Sequence, residues 1–255
     1  MGIELGLLEI TSIALIILFT CLIKTSIAVG AGIFFSAGMC LIMPPKMAIA
    51  LGGPVMLLSN ILPLFHYCKK INKAVFLVLI SGSVVGLGLG ALVMNYLPDW
   101  IFIKVVGAIC GVFSMQKLFG NFFSSVLKGK GGKRFVPGRW MGVVAGLAGG
   151  IITFMVHTGG VVYSVYMLSM NLSKTTFVAT SVAIFFVADC IKNVLYWNME
   201  LLTPDLLKLA LWMIPVMIAG SFAGYFIHKR MSSRLFERTI LAFVLIASLR
   251  LIATF

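Results

Sequence analysis

The chain has 255 residues, 61% of them hydrophobic and only 11% charged, with a mean hydropathy of +1.11 and a formal net charge of +13. Apolar runs near the ~20-residue length that crosses a bilayer recur from end to end, which excludes a soluble globular domain, and their lack of alternation argues against barrel strands, so an all-α polytopic membrane protein is expected. The basic residues sit at the ends of apolar runs, as loop anchors do, so the lipid bilayer is the expected surroundings and nucleic acid is not an expected partner.

The first run, LLEITSIALIILFTCLI, has neither a basic leader nor a small-residue cleavage site and reads as a retained helix. Charge and turn signals predict segments at 7–23, 26–43, 47–67, 74–96 and 100–123. After a basic connection, SSVLKGKGGKRFVPGRW, further segments are predicted at 139–156, 159–171, 175–196, 205–227 and 235–254. This makes about ten membrane segments. The second and seventh are short and rich in glycine or small residues. They are either full spans or half-helices that enter and turn back, in which case eight full spans remain. Pro54, Pro63 and Pro215 are expected to kink their helices. The implied organisation is a first repeat over 1–127, a basic cytoplasmic linker over 128–138 and a second repeat over 139–255. With the linker inside, ten crossings place 15 of the 20 Lys and Arg residues on the cytoplasmic side, and eight crossings place 12 there, so charge favours ten crossings with both termini outside. This count puts Lys24 on the inner side, between two segments, and Lys192 on the outer side, near the end of the segment at 175–196.

Cys21, Cys40, Cys68, Cys110 and Cys190 are scattered singly with no C-x-x-C pair, which supports neither a metal site nor a disulfide framework. No cofactor is expected.

The two halves resemble each other. GAGIFFSAGMCLIMPPKMAIA aligns without gaps on TGGVVYSVYMLSMNLSKTTFV, pairing Gly32 with Gly160, Met39 with Met167 and Lys46 with Lys174. A second block pairs Gly86 with Gly220, Gly90 with Gly224 and Phe102 with Phe236. Five crossings per half would invert the second copy relative to the first. In inverted-repeat carriers the substrate commonly sits near the midplane, facing unpaired N–H groups of discontinuous helices. Both halves offer this: KTSIAVGAGI at 24–33 supplies Thr25, Ser26, Gly30 and Gly32, and VHTGGVVY at 156–163 supplies His157, Thr158, Gly159 and Gly160. The four glycines serve either ligand approach or helix packing. Gly86, Gly88, Gly90, Gly142, Gly146, Gly220 and Gly224 read as packing residues.

Asp189 is the carboxylate well inside an apolar segment, with Lys192 and Asn193 three and four residues on and therefore on the same helical face. The pair either neutralise each other or take part in coupling and gating, with Asp189 carrying a proton or Lys192 attracting an anion. Asn60 stands in the corresponding region of the first half. His157 is a second group able to couple protons, or a hydrogen-bonding residue only.

The stretch GGVVYSVYMLSMNLSKTTFVATSVA resembles the sulfite exporter TauE/SafE family of anion permeases: a glycine cluster at Gly159 and Gly160, an aromatic at Tyr166, then Leu172, Ser173, Lys174 and the pair Thr180 and Ser181. Two departures stand out. Val165 replaces a proline usual after the glycine cluster, and the first half has Gly52 and Gly53 where a Thr-Ser pair would fall. The resemblance implies transport of small sulfur-containing anions, such as sulfite or organosulfonates, across the inner (cytoplasmic) cell membrane, and adds Tyr166, Thr180 and Ser181 to the substrate-binding candidates. Proton coupling is compatible with it, and so is a homodimer. An intramembrane enzyme would need a nucleophile and base or a metal cluster, and neither H-E-x-x-H nor G-x-S-x-G occurs. The competing class is a membrane binding or assembly subunit without transport of its own.

Overall fold

A computed structural model describes residues 6–26, 30–119, 137–170, 172–230 and 233–253. The predicted linker therefore falls, up to residue 136, outside the described residues. In chain order the helices are α1 (Leu7–Ser26), α2 (Ala31–Met39), α3 (Pro45–Tyr67), α4 (Lys73–Tyr96) and α5 (Asp99–Phe119), with a 3₁₀ turn at Cys68–Lys70, followed by α6 (Arg139–Val156), α7 (Gly160–Ser169), α8 (Lys174–Asn198), α9 (Pro204–Trp212), α10 (Ile214–Arg230) and α11 (Ser233–Ala253). Local chemistry marks the starts. Asn72, Ser173 and Thr203 each accept a hydrogen bond from the backbone N–H three residues on, capping α4, α8 and α9. Pro45 and Pro204 occupy the first turns of α3 and α9, where no N–H partner is needed.

Among the described residues, six helices are long and apolar enough to cross a membrane, and the bent pair α9–α10 makes a seventh when taken as one span. The two doubtful predicted segments form α2, of nine residues, and α7, of ten. At about 1.5 Å per residue each covers roughly half of a ~30 Å hydrocarbon layer. The single segment expected at 205–227 is instead broken, with a 44° bend between α9 and α10. Pro215 explains the break, because its ring would clash with the carbonyl of Leu211 and it has no N–H to offer. Pro54 and Pro63 lie inside α3.

The distribution of side chains is that of a protein solvated by lipid. Leu15, Leu77, Val85, Leu92, Val112, Phe222 and Ile246 are exposed on the outside, whereas Thr20, Ser36, Asn60, Ser83, Thr153, Asp189 and Lys192 are buried. The tryptophans Trp100, Trp140, Trp197 and Trp212 are each at least half exposed and sit at the ends of α5, α6, α8 and α9, the positions of an interfacial aromatic belt.

Four helix pairs form the frame: α1 with α10, α4 with α6, α5 with α11 and α3 with α8. Two of these are sealed by glycine. In α4 a β-carbon at Gly82 or Gly86 would fall on the carbonyl oxygen of Val143 or Leu147. In α6 one at Gly146 or Gly150 would fall on that of Leu79 or Ser83. In α10, Gly220 and Gly224 stand in the same relation to Leu18 and Leu22. These helices meet backbone to backbone. Gly90 and Gly142 also pack closely, against Phe154 and against Val78 and Tyr166, but Gly88 faces open space and is not a packing residue.

Candidate functional site

Helix α6 ends at His157, whose left-handed backbone (φ 53°) turns the chain towards α7. A helix ends with carbonyls that lack partners, and here side chains from elsewhere supply them. Ser36 of α2 donates to the Val156 carbonyl at 3.1 Å, Thr158 donates to the same oxygen at 2.9 Å, and Tyr196 of α8 donates to the Phe154 carbonyl at 2.5 Å. The start of α2 is pressed against this corner. A β-carbon at Gly32 would collide with the His157 carbonyl, so the start of α2 meets the α6–α7 junction backbone to backbone. At the N-cap of α2, Gly30 adopts φ 96°, a conformation natural to glycine. Unlike α4, α8 and α9, the half-helices α2 and α7 have no side-chain cap at their N-termini.

Beside this junction lies a buried charged chain. Asp189 and Lys192 of α8 form an ion pair at 2.7 Å with side chains 4% and 1% exposed. Asn60 of α3 donates to the other Asp189 carboxylate oxygen at 2.7 Å. The Lys192 ammonium also lies 2.7 Å from His157 Nδ1. An ammonium can only donate, so Nδ1 accepts, the imidazole is neutral, and its proton is on Nε2, which donates to the Ile49 carbonyl at 2.9 Å. Asn193 donates to the Asp189 carbonyl at 2.8 Å, leaving its own Oδ1 buried without a partner. Lys24, in the last turn of α1, donates to Ser59 Oγ at 2.5 Å and to the Met56 carbonyl at 3.3 Å, and it interacts electrostatically with Asp189 and Lys192. Ser59 and Asn60 are adjacent, so α3 carries Lys24 on one residue and Asp189 on the next.

The predicted residues divide accordingly. Gly32, His157, Thr158, Asp189, Lys192, Asn193 and Asn60 converge on this junction. Gly159 packs on the Gly149 carbonyl and Thr153, and Gly160 on the ring of Phe185, so both fill close contacts in this conformation. Thr25 donates back to the Cys21 carbonyl at 2.9 Å. The side chain of Ser26 is outside the described set. Three other candidates lie apart. Tyr166 belongs to a second apolar cluster with Val75, Leu79 and Tyr163. Thr180 Oγ1 accepts from the Asn72 N–H at 3.0 Å and donates to the Thr176 carbonyl, tying α8 to the start of α4. Ser181 donates to the Phe177 carbonyl. A cleft of about 330 Å³ lined by Met167, Leu168, Leu172, Lys174, Phe177 and Val178 opens at the α7–α8 corner, and none of the charged chain lines it.

Sequence reasoning missed Lys24, Ser59, Ser36 and Tyr196 as site residues, and its charge count placed Lys24 with the inner loops. Lys192, expected on one face with Asp189 but counted on the outer side, is buried. The departures at Gly52 and Gly53 also find their cause: a β-carbon at Gly52 would strike the imidazole of His157, and one at Gly53 would lie 2.8 Å from Asn193 Oδ1.

The family model described as Sulfite exporter TauE/SafE matches residues 13–251. No curated protein and no solved structure matches the chain.

Proposed function

The chain belongs to the sulfite exporter TauE/SafE family, and from that premise we propose that this multi-pass membrane transporter carries a small sulfur-containing anion, such as sulfite or an organosulfonate, outward across the inner cell membrane. The observation that carries the proposal is the meeting of two uncapped half-helices beside two interior lysines. The starts of α2 and α7 bring the positive ends of their dipoles to one corner of the fold, and Lys24 and Lys192 stand next to it. Charge inside a membrane protein is costly and marks a transport path more often than a scaffold. A purely structural subunit has no evident use for this arrangement.

An inverted repeat is part of the same reading. Exchanging the halves, α1 for α6, α3 for α8, α4 for α9–α10 and α5 for α11, turns the α1–α10 pair into the α4–α6 pair and returns α3–α8 and α5–α11 to themselves. That self-consistency supports two copies of one unit, with the site between them.

The test is flux. Protein reconstituted in liposomes is expected to move sulfite or methanesulfonate, and the movement should fall at least tenfold in the Lys192→Met variant with its fold retained. Proton coupling through Asp189 or His157 belongs to the same proposal, and a pH gradient imposed on the same vesicles reads it. Folded protein that moves no sulfur anion would defeat the assignment.

A further inference from the structure

Taking the transport reading as its basis, we propose that Lys24, Asp189 and Lys192 together set the charge of the cargo: the site holds one uncompensated positive charge and selects monoanions, with Asp189 as the residue that rejects dianions. The count follows from the geometry. Lys24 and Lys192 contribute two positive charges, Asp189 one negative, and His157 none, because its Nδ1 accepts from Lys192. Asn60, Asn193 and Ser59 complete the polar surroundings without adding charge.

Lys24 is the member free to answer a cargo. Lys192 is held by a carboxylate and an imidazole, whereas the Lys24 ammonium is met by a hydroxyl, a carbonyl and, at 4.0 Å, the Met56 sulfur, all of them uncharged. A monoanion arriving beside it neutralises the cluster. A dianion leaves an excess negative charge in a low-dielectric interior and also meets the Asp189 carboxylate, so its binding suffers twice. For sulfite, the form carried is hydrogensulfite. For organosulfonates the single charge is already the right one.

Equilibrium binding near neutral pH tests this with methanesulfonate as the monoanion and sulfate as the dianion, each titrated calorimetrically into detergent-solubilised full-length protein. The wild type is expected to prefer methanesulfonate. Asp189→Asn raises the site charge by one and should move the sulfate-to-methanesulfonate affinity ratio towards sulfate by about tenfold or more. Lys24→Gln, which leaves the Asp189–Lys192 pair intact, lowers the charge by one and should move the same ratio the other way while weakening both anions. Opposite shifts are not expected of residues that only support the fold, and Lys24→Gln keeps the idea falsifiable where Asp189→Asn fails to fold. A ratio unchanged in the variants, or shifted in the same direction by both, overturns the inference while leaving anion transport standing. A wild-type protein that neither binds nor moves either anion overturns both.

Discussion

Replacing Lys192 by Met isolates the worth of the buried ion pair. In the folded chain the Asp189 carboxylate has two charge-assisted or polar partners, Lys192 and Asn60, each at 2.7 Å. Removing the ammonium leaves the interior carboxylate with Asn60 as its side-chain hydrogen-bond donor and no ion-pair contact, and it also removes the donor to His157 Nδ1. Breaking one partner of a buried pair costs about 3–5 kcal/mol, because the remaining charge is uncompensated. Asp189→Asn should cost less, near the lower end of that range, since Lys192 keeps the imidazole. The double variant Asp189→Asn/Lys192→Met removes both members of the pair and leaves Lys24, so the net charge of the cluster is that of the wild type and its stability is expected within about 1 kcal/mol of it. The implied coupling is several kcal/mol, far above the few tenths typical of independent sites. Reversible unfolding in mixed micelles, followed by circular dichroism, gives all four corners of the cycle. If the two single losses simply add in the double variant, the side chains are not an interior ion pair and the electrostatic account of the site collapses. The double variant has a second use: stable yet unable to transport, it would separate what the pair does for the cargo from what it does for the fold.

Three further outcomes follow from local geometry. Gly86→Ala places a methyl group on the Leu147 carbonyl and should cost about 1–3 kcal/mol, whereas Gly88→Ala, with nothing within 4 Å, should be neutral or stabilise by up to ~1 kcal/mol through helix propensity. The same unfolding assay compares them, and equal effects would contradict the glycine seam. Gly52→Ala should lower stability by about 1–3 kcal/mol by displacing the imidazole of His157 and the ring of Phe35, and part of that cost should vanish in a His157→Ala background, where one of the two colliding rings is gone. Tyr196→Phe strips the Phe154 carbonyl of its donor and should cost about 1–3 kcal/mol without altering anion preference. A changed preference would place Tyr196 at the cargo.

Much of the helical framework could be read in advance because lipid imposes a length and a polarity on each segment. Each of the ten predicted segments corresponds to one helix, or in one case to the bent pair α9–α10, and even the two short ones were marked by their glycines. Pro215 was recognised as a source of a bend, but a proline at the second position of a helix looks the same in sequence as one that merely kinks it. Asp189, Lys192 and Asn193 could be placed on one face from their spacing, and Asn60 was named as the corresponding first-half residue. What spacing could not give was the contact between them across 129 residues. Lys24 was invisible for a different reason. At the end of an apolar run an interior lysine and an interfacial anchor have the same sequence signature, and only the position of Ser59 and Met56 on a neighbouring helix tells them apart. The same holds for Gly52, whose absent side chain matters because the rings of His157 and Phe35 occupy the space.

The glycine seams have a mechanical consequence. Side chains between helices act as compliant spacers that re-adjust when the helices slide, and the α4–α6 and α1–α10 pairs have largely dispensed with them. Carbonyls and α-carbons in direct contact resist shear, so each pair behaves as a stiff beam. Deformation must then concentrate where the chain is interrupted or held by polar side chains, at the α6–α7 break, the α9–α10 bend and the α3–α8 interface. These are the joints next to which Lys24, Asn60, Asp189 and His157 lie, so the charged chain occupies the places where the frame can give.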